Sequence, residues 1–299
     1  MTFEQLRVFI EVAAQLHMTR AAERLNMTQP AVSASIAALE ASCGLPLFHR
    51  VGRRIELSEP GRIFQSEAQA ILDRVARAEA VLNDLSGLKR GRLSLHASQT
   101  IANYWLGPRL ARFRALYPAI TLAVEIGNTT QCVAAVLDGA ADLAFVEGEV
   151  NAPLLVRIAV PGDRLILVVG RDHPWAGGGD IPATALAASN WVLREPGSGT
   201  RQVFEDACRE AGVDPRTLNV VLEFPSNEAV LSAVAAGAGA TVISELVAEA
   251  GLSTGMLKQV PMSVGANFGA RPFFVLRHAD RYRSKAENAL LDLVREPGA

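Results

Sequence analysis

In this 299-residue chain, the side chains best placed for chemistry lie where strand patterns give way to helix patterns. Four such junctions stand out: Ser98-Gln99-Thr100, Asn128-Thr129-Thr130, Gly197-Ser198-Gly199-Thr200-Arg201 and Ser226-Asn227. Each offers backbone N–H groups at a helix start and a hydroxyl beside them, which suits a small anion. Taken singly, each reads as readily as a simple N-cap. Four at equivalent positions point to one cleft, because open α/β sheets bind ligands at the carboxyl ends of their strands. Glu147 and Glu195 would repel a dianion there, unless they accept hydrogen bonds from a protonated ligand or from backbone. The expected ligand set is Ser98, Gln99, Thr100, Asn128, Thr129, Glu147, Glu195, Gly197, Ser198, Thr200 and Asn227, with Arg201 as the one obvious cation.

Other chemistries fail on spacing. Cys43, Cys132 and Cys208 form neither a disulfide framework nor a CxxC pair, and read as small buried hydrophobes rather than redox sensors. The five histidines lack zinc spacing. Gly251-Leu252-Ser253-Thr254-Gly255 fits G-x-S-x-G, but a helix pattern precedes it and a short strand follows, the reverse of a nucleophile elbow. Gly237-Ala238-Gly239 lacks the third glycine of a dinucleotide fingerprint and reads as a close-packing site. No catalytic residue, metal or cofactor is expected.

The first sixty residues carry a different kind of chemistry. Thr2 and Gln5 make a capping box before Phe3, Leu6, Phe9, Ile10 and Ala13 at helical spacing. A short helix fits Thr19–Leu25, and Asn26-Met27 turns the chain. Thr28 caps a third helix with Pro30 in its first turn, Val32, Ile36 and Leu39 as its buried stripe, and Gly44 past its end. Two helices around such a turn describe a helix-turn-helix. His49–Leu57 then reads as two short strands around a glycine, with Arg50, Arg53 and Arg54 placed to touch phosphates.

The run Phe9, Ala21-Ala22, Leu25, Thr28-Gln29-Pro30-Ala31-Val32-Ser33, Ile36, Leu39-Glu40, Gly44-Leu45-Pro46-Leu47-Phe48 and Arg50 resembles the winged helix-turn-helix of LysR-type transcriptional regulators. The match is continuous over about residues 1–62. It implies a regulator of operator DNA, not an enzyme, with a small-molecule effector, and RNA polymerase as a further candidate partner. Ala34 and Ser35 stand where many members carry Arg or Gln, so base reading falls to Thr28, Gln29, Pro30, Ser33 and Ser35. Glu195–Arg201, with Asn128-Thr129 and Val146-Glu147-Gly148, is similar to the branch tied to sulfur assimilation and carbon fixation.

Ser58-Glu59-Pro60 opens a long helix to about Leu85. Apolar positions at Phe64, Ala68, Ile71, Val75, Ala78, Leu82 and Leu85 step by four and three, a heptad seam. At 1.5 Å per residue it runs roughly 40 Å. Packing on its own chain's core is one use of that seam. Pairing two chains is preferred, since two recognition helices must sit ~34 Å apart to read successive major grooves. Ser86–Gly91 reads as a hinge.

From Arg92 strands alternate with helices, which means an α/β fold with largely parallel sheets. The expected strands are Arg92–Ala97, Ile120–Ile126, Asp142–Val146, Arg164–Val169, Trp191–Leu193, Val220–Phe224, Ala240–Ile243 and Pro272–Leu276. The family resemblance implies two subdomains, as in type 2 periplasmic binding proteins, with crossings near Pro161–Arg164 and Val264–Phe268. The expected organisation is therefore a mainly α winged helix-turn-helix over 1–58 and a linker and dimerisation helix with hinge over 59–90. An effector domain follows over 91–299, with subdomain I as 91–162 plus 266–299 and subdomain II as 163–265. A solute-binding or transport protein on the same α/β module is the alternative. The missing export signal and the winged helix count against it.

Composition sets outer bounds. With 49% hydrophobic and 20% charged residues, wholesale disorder is excluded. Net charge is −2 overall, yet residues 1–92 hold 12 Arg/Lys against 10 Asp/Glu, leaving the remainder acidic. The longest late uncharged run, Ala229–Ser244, is glycine-broken and below the ~18 residues of a membrane helix. A cytoplasmic homodimer or homotetramer is expected. Gln29→Ala is expected to lower discrimination between operator and random DNA in gel-shift assays, because Gln pairs bidentately with adenine.

Overall fold

Local signals fix the first helices. In the computed structural model, which describes residues 1–51, 54–85, 91–261 and 270–296, Thr2 and Gln5 close their capping box over α1 (Phe3–Gln15). Its inner face buries Leu6, Val8, Phe9, Val12 and Ala13. The helix α2 (Met18–Leu25) buries Ala21 and Ala22, and Asn26 in the left-handed region ends it. Thr28 caps α3 (Gln29–Cys43), whose buried stripe is Val32, Ile36 and Leu39. Antiparallel β1 (Phe48–Val51) and β2 (Arg54–Leu57) form the wing, with Phe48 opposite Leu57 and Val51 opposite Arg54. One carboxylate ties wing to helix: Glu40 Oε1 accepts from Leu47 N at 2.7 Å and Phe48 N at 3.1 Å.

Ser58 stitches the next helix to the same place. Its hydroxyl donates to the Pro46 carbonyl and accepts from Gly61 N, capping α4 (Glu59–Leu85). The seam of α4 divides. Ala68 is fully buried in the core of α1–α3, and Phe64 and Ile71 pack on that core, Phe64 lying 5.0 Å from the Phe9 ring. This corrects the expectation for Phe64, Ala68 and Ile71, whose apolar surface covers their own chain. Past them the seam loses its cover: Val75 is half-buried, Ala78 exposed and Leu82 67% exposed. The expected hinge at 86–90 lies outside the described residues.

Residues Met1–Asn83 and Asp84–Ala299 are separate compact units. In the second, β3 (Gly91–Ser98) runs into a short α5 (Gln99–Ile101), a π-helical turn at Ala102–Leu106 and α6 (Gly107–Leu116). Then come β4 (Ile120–Gly127), α7 (Thr129–Asp138), β5 (Leu143–Glu147) and a 16-residue strand, β6 (Leu155–Gly170). The chain continues through β7 (Asn190–Arg194), α8 (Gly199–Glu210), β8 (Asn219–Phe224) and α9 (Asn227–Ala235). It closes with β9 (Ala240–Ser244), α10 (Glu245–Ser253), β10 (Leu257–Val260), β11 (Ala270–His278) and α11 (Lys285–Arg295).

The strand order is β4-β3-β5-β11-β6-β9-β7-β8, with β10 also on β6. Strands β3, β4 and β5 are parallel, as are β7, β8 and β9. The expectation of largely parallel sheets fails at the centre, where β6 and β11 pair antiparallel with each other and with their neighbours. Two lobes result, because β6 pairs with β11 over its first part and with β9 and β10 over its second. Both faces of each lobe are covered. Phe145 and Leu143 of β5 join the Trp105, Phe113 and Phe273 core, while Ala144 and Val146 join Cys132, Val136 and Leu276.

The strand from Arg164 was legible; its start at Leu155 was not, because Pro161-Gly162 looks like a break. Gly162 is what allows the strand through. A Cβ there would lie 1.9 Å from the Arg271 carbonyl oxygen, beside the bulge between Arg271 and Phe273. The expected return near Val264–Phe268 lies outside the described residues. Gly162→Ala should destabilise the second unit by about 1–3 kcal/mol through overpacking, read as a lower urea midpoint at unchanged slope.

Candidate functional site

The exposed face of α3 is short and uncharged. Thr28, Gln29, Pro30, Ala31 and Ala34 are exposed, and Ser33 and Ser35 are half-buried beside them. Gln29 Nε2 donates to Ser33 Oγ at 2.8 Å, one turn on, which holds the amide against the helix. Exposed methyls at Ala31 and Ala34 were passed over in the sequence, though apolar contact with a thymine methyl is a reading device of its own. Arg50 on β1 is exposed. Arg53 and the Arg54 side chain lie outside the described residues.

In the second unit the four junctions fall into two kinds. Asn128 caps α7 through a capping box with Gln131, and Ser226 caps α9 by accepting from Ala229 N. Ser98 and Ser198 make no cap bond. Ser98 Oγ donates to Glu147 Oε2, and Thr200 Oγ1 donates to Glu147 Oε1 at 3.3 Å, so one carboxylate joins the two lobes. Thr129 Oγ1 donates to the Glu147 carbonyl at 3.0 Å. Gly199 is the only residue type that fits beneath it, since a Cβ would meet that carbonyl oxygen at 2.1 Å. The Gly197 carbonyl accepts from Thr130 N, and Asn128 Nδ2 donates to Glu195.

Ser198 is 3% exposed and its Oγ has no partner. It lines a cleft of about 600 Å³ bounded by the starts of α7 and α8 and by Glu149–Asn151, with Thr129, Thr130, Arg201 and the carboxylates Glu149 and Glu205 around it. Of the expected ligand set, Thr129, Gly197 and Ser198 line the cleft, while Ser98, Glu147 and Thr200, and separately Thr100 and Asn227, are buried and hydrogen-bonded to one another.

The expected cation Arg201 lines the cleft already paired. Arg201 is engaged by Glu205 at 2.7 Å and Glu223 at 2.5 Å. Two buried guanidiniums were missed. Arg194 pairs with Glu195 at 2.9 Å and donates to Asn227 Oδ1 at 2.6 Å. Arg271 grips Asp163 with Nε and Nη2 at 2.6 and 3.1 Å, and its Nη1 reaches Thr200 Oγ1 at 3.4 Å. Nothing local marks them, since an arginine at a strand end normally faces water.

A second set of bonds joins the lobes on the α5 side. Asn227 N donates to Gln99 Oε1 at 2.6 Å, and Asn227 Nδ2 to Thr100 Oγ1 at 3.1 Å. Glu228 accepts from Tyr104 OH at 3.0 Å and from Asn103. Burial and then this carboxylate push the Tyr104 phenol up to about 12, so it stays a donor near neutral pH. Burial, then the nearby Glu147 charge, likewise pushes the Cys132 thiol up to about 12. Cys208 is buried too, but Cys43 is exposed, against its expected role as a small buried hydrophobe. Gly251–Gly255 lies at the end of α10 ahead of β10, with no strand leading into Ser253. Among the described residues no metal-binding cluster occurs, and no helix is long and apolar enough to cross a membrane.

A winged helix-turn-helix joined to a two-lobed α/β unit with a polar cleft defines a ligand-responsive regulator of DNA. The bacterial regulatory helix-turn-helix protein family, lysR type, matches residues 3–62, and the LysR substrate binding domain matches residues 86–298. The chain belongs to the LysR family of transcriptional regulators, and the solute-binding alternative is not supported. It is 31% identical to the HTH-type transcriptional regulator YeiE of Escherichia coli K12, covering 97% of this chain and 96% of that protein. It is 32% identical to the RuBisCO operon transcriptional regulator of Allochromatium vinosum, covering 98% and 95%, which agrees with the carbon-fixation branch. CbnR complexed with its target DNA has the same fold, at TM-score 0.72 and 22% identity over 99% of both chains. The Synechocystis CcmR regulatory domain in complex with 2-PG matches at TM-score 0.62 and 28% identity, covering 69% of this chain and 96% of that one.

Thr100→Ala would leave the buried Asn227 amide without its acceptor. It should cost about 1–3 kcal/mol, seen in urea denaturation of the full chain as early loss of the second unit.

Proposed function

We propose that the effector is a small anion seated between the first turns of α7 and α8, and that its seating changes how the lobe 91–162 with 266–299 closes on the lobe 163–265. The observation that carries this reading is the Ser198 hydroxyl, buried without a partner at the start of a 12-residue helix whose first turn lines a cleft. An unpaired buried hydroxyl costs stability unless a ligand completes it. Thr129 and Thr130 face it from the start of α7, and both helix starts favour negative charge. Closure is selected only if the anion binds one lobe arrangement more tightly than the other. That CcmR was solved with 2-PG supports a small-molecule effector for this kind of domain.

Reading DNA requires two such chains. The continuation of the α4 seam past the core, half-buried Val75 with exposed Ala78 and Leu82, is the pairing surface, and Thr28, Gln29, Pro30, Ser33, Ser35, Arg50, Arg53 and Arg54 are the DNA contacts. The effector then acts by resetting the spacing of the DNA-binding pairs in a homodimer or homotetramer, at work in the cytoplasm beside RNA polymerase.

Ser198→Ala separates ligand binding from folding. Because the hydroxyl makes no internal bond, its loss should leave the urea midpoint unchanged or slightly higher. Calorimetric titration with inorganic phosphate should meanwhile show affinity reduced about tenfold, the equivalent of ~1.4 kcal/mol within the usual range for a buried hydrogen bond. Unaltered phosphate affinity would falsify the cleft assignment. Leu82→Asp should turn the oligomer into a folded monomer by sedimentation, since an unpaired carboxylate cannot be buried cheaply in the seam. A persistent dimer would move the interface elsewhere.

A further inference from the structure

Glu40 is the one charged side chain of α3 between Gln29 and Cys43. Its presence there runs against two preferences. A carboxylate in the last turn of a helix meets the negative end of the helix dipole. The second helix of a helix-turn-helix is also the one that enters the major groove, between rows of phosphates. An acid on that helix weakens attachment to DNA unless its charge is used elsewhere.

The geometry shows the use. Glu40 is half-buried, and its Oε1 accepts from two successive amides, Leu47 N at 2.7 Å and Phe48 N at 3.1 Å. Those amides open the wing: Phe48 is the first residue of β1, and its ring lies 5.4 Å from the Phe9 ring. The far end of the wing is fastened to the same short segment. Ser58, which follows the last residue of β2, donates through N to the Leu47 carbonyl at 2.9 Å and through Oγ to the Pro46 carbonyl at 2.7 Å. Both ends of the hairpin are therefore held at its base, and Glu40 ties that base to α3. Hydrogen bonds to an ionised acceptor are the stronger kind, which suits a joint that fixes an angle. Arg50 stands on β1 two residues beyond Phe48, opposite Ile55, and is exposed.

We infer that Glu40 is a positioning residue for DNA binding: it sets the wing on α3 and so carries Arg50 to the phosphates while α3 occupies the groove. This rests on the reading of Arg50 as a DNA contact. The effect has a sign opposite to that of simple electrostatics. Removing a negative charge from a DNA-facing surface strengthens binding to any duplex; removing a joint that places a cation weakens it.

The full-length protein is titrated by fluorescence anisotropy against a labelled duplex of random sequence, over a series of KCl concentrations. Arg50→Ala should lower the slope of log affinity against log salt by about 0.9 for each wing on the DNA. Glu40→Ala should lower it by a similar amount, and should weaken binding rather than strengthen it. Glu40→Gln, which removes the charge but keeps an acceptor oxygen for the amides, should retain the wild-type slope. In the double variant of Glu40→Ala with Arg50→Ala the losses should not add, because both remove the same contact. Glu40→Asp, one methylene short of the two amides, takes the place of Glu40→Ala if circular dichroism shows that variant unfolded. A Glu40→Ala slope as steep as the wild type's overturns the positioning role while leaving Arg50 a contact, as do additive losses in the double variant. An unchanged slope for Arg50→Ala removes the wing contact and the positioning role together.

Discussion

Asp163 on β6, the long strand that runs through both lobes, faces Arg271 on β11, and their doubly hydrogen-bonded ion pair is almost free of water. Removing either partner of such a pair leaves an uncompensated buried charge, at a cost of roughly 3–5 kcal/mol. Two further features depend on it. The close approach of Gly162 to the Arg271 backbone sets the bulge from which the guanidinium projects. The third nitrogen of that guanidinium touches Thr200, which in turn holds Glu147. The strand crossing and the buried Thr200–Glu147 pair are therefore parts of one bonded network, which lies directly behind Ser198 in the chain.

The first unit solves a different problem. Three short helices and a two-stranded wing make a small core, and α4 enlarges it by contributing Phe64, Ala68 and Ile71. The same helix then continues past the core with its apolar stripe uncovered at Leu82. One continuous stripe completes a domain at one end and is uncovered at the other. Glu40 and Ser58 fix the wing and the start of α4 to the same short exit segment, so the direction of the long helix is tied to the DNA-facing surface.

Legibility in the sequence followed the range of the interactions. Caps and stops at Thr2, Thr28, Asn26 and Gly44 act within a turn, and the helix-turn-helix could be read from them. The hydroxyl-rich junctions were readable for the same reason. The partner of Arg271 is 108 positions away, and no local pattern announces that both will be buried. The strand through Pro161 is sustained by β11, equally remote. The heptad of α4 was plain, but a stripe of that period looks the same whether its own core or a second chain covers it.

From Leu25 to Leu39 the chain has no charged side chain, and the exposed face of α3 presents only hydroxyls, an amide and methyls. Counterion release, which gives protein–DNA affinity its dependence on ionic strength, needs cationic groups near phosphates. On the DNA contacts proposed above, that contribution would fall to Arg50 on the wing and to cations outside α3. Choice of sequence and strength of attachment would then be carried by different elements. Substitutions on the α3 face would redirect the regulator to another operator with little change in its residence on bulk DNA, and changes in wing charge would retune that residence without altering which sites it prefers.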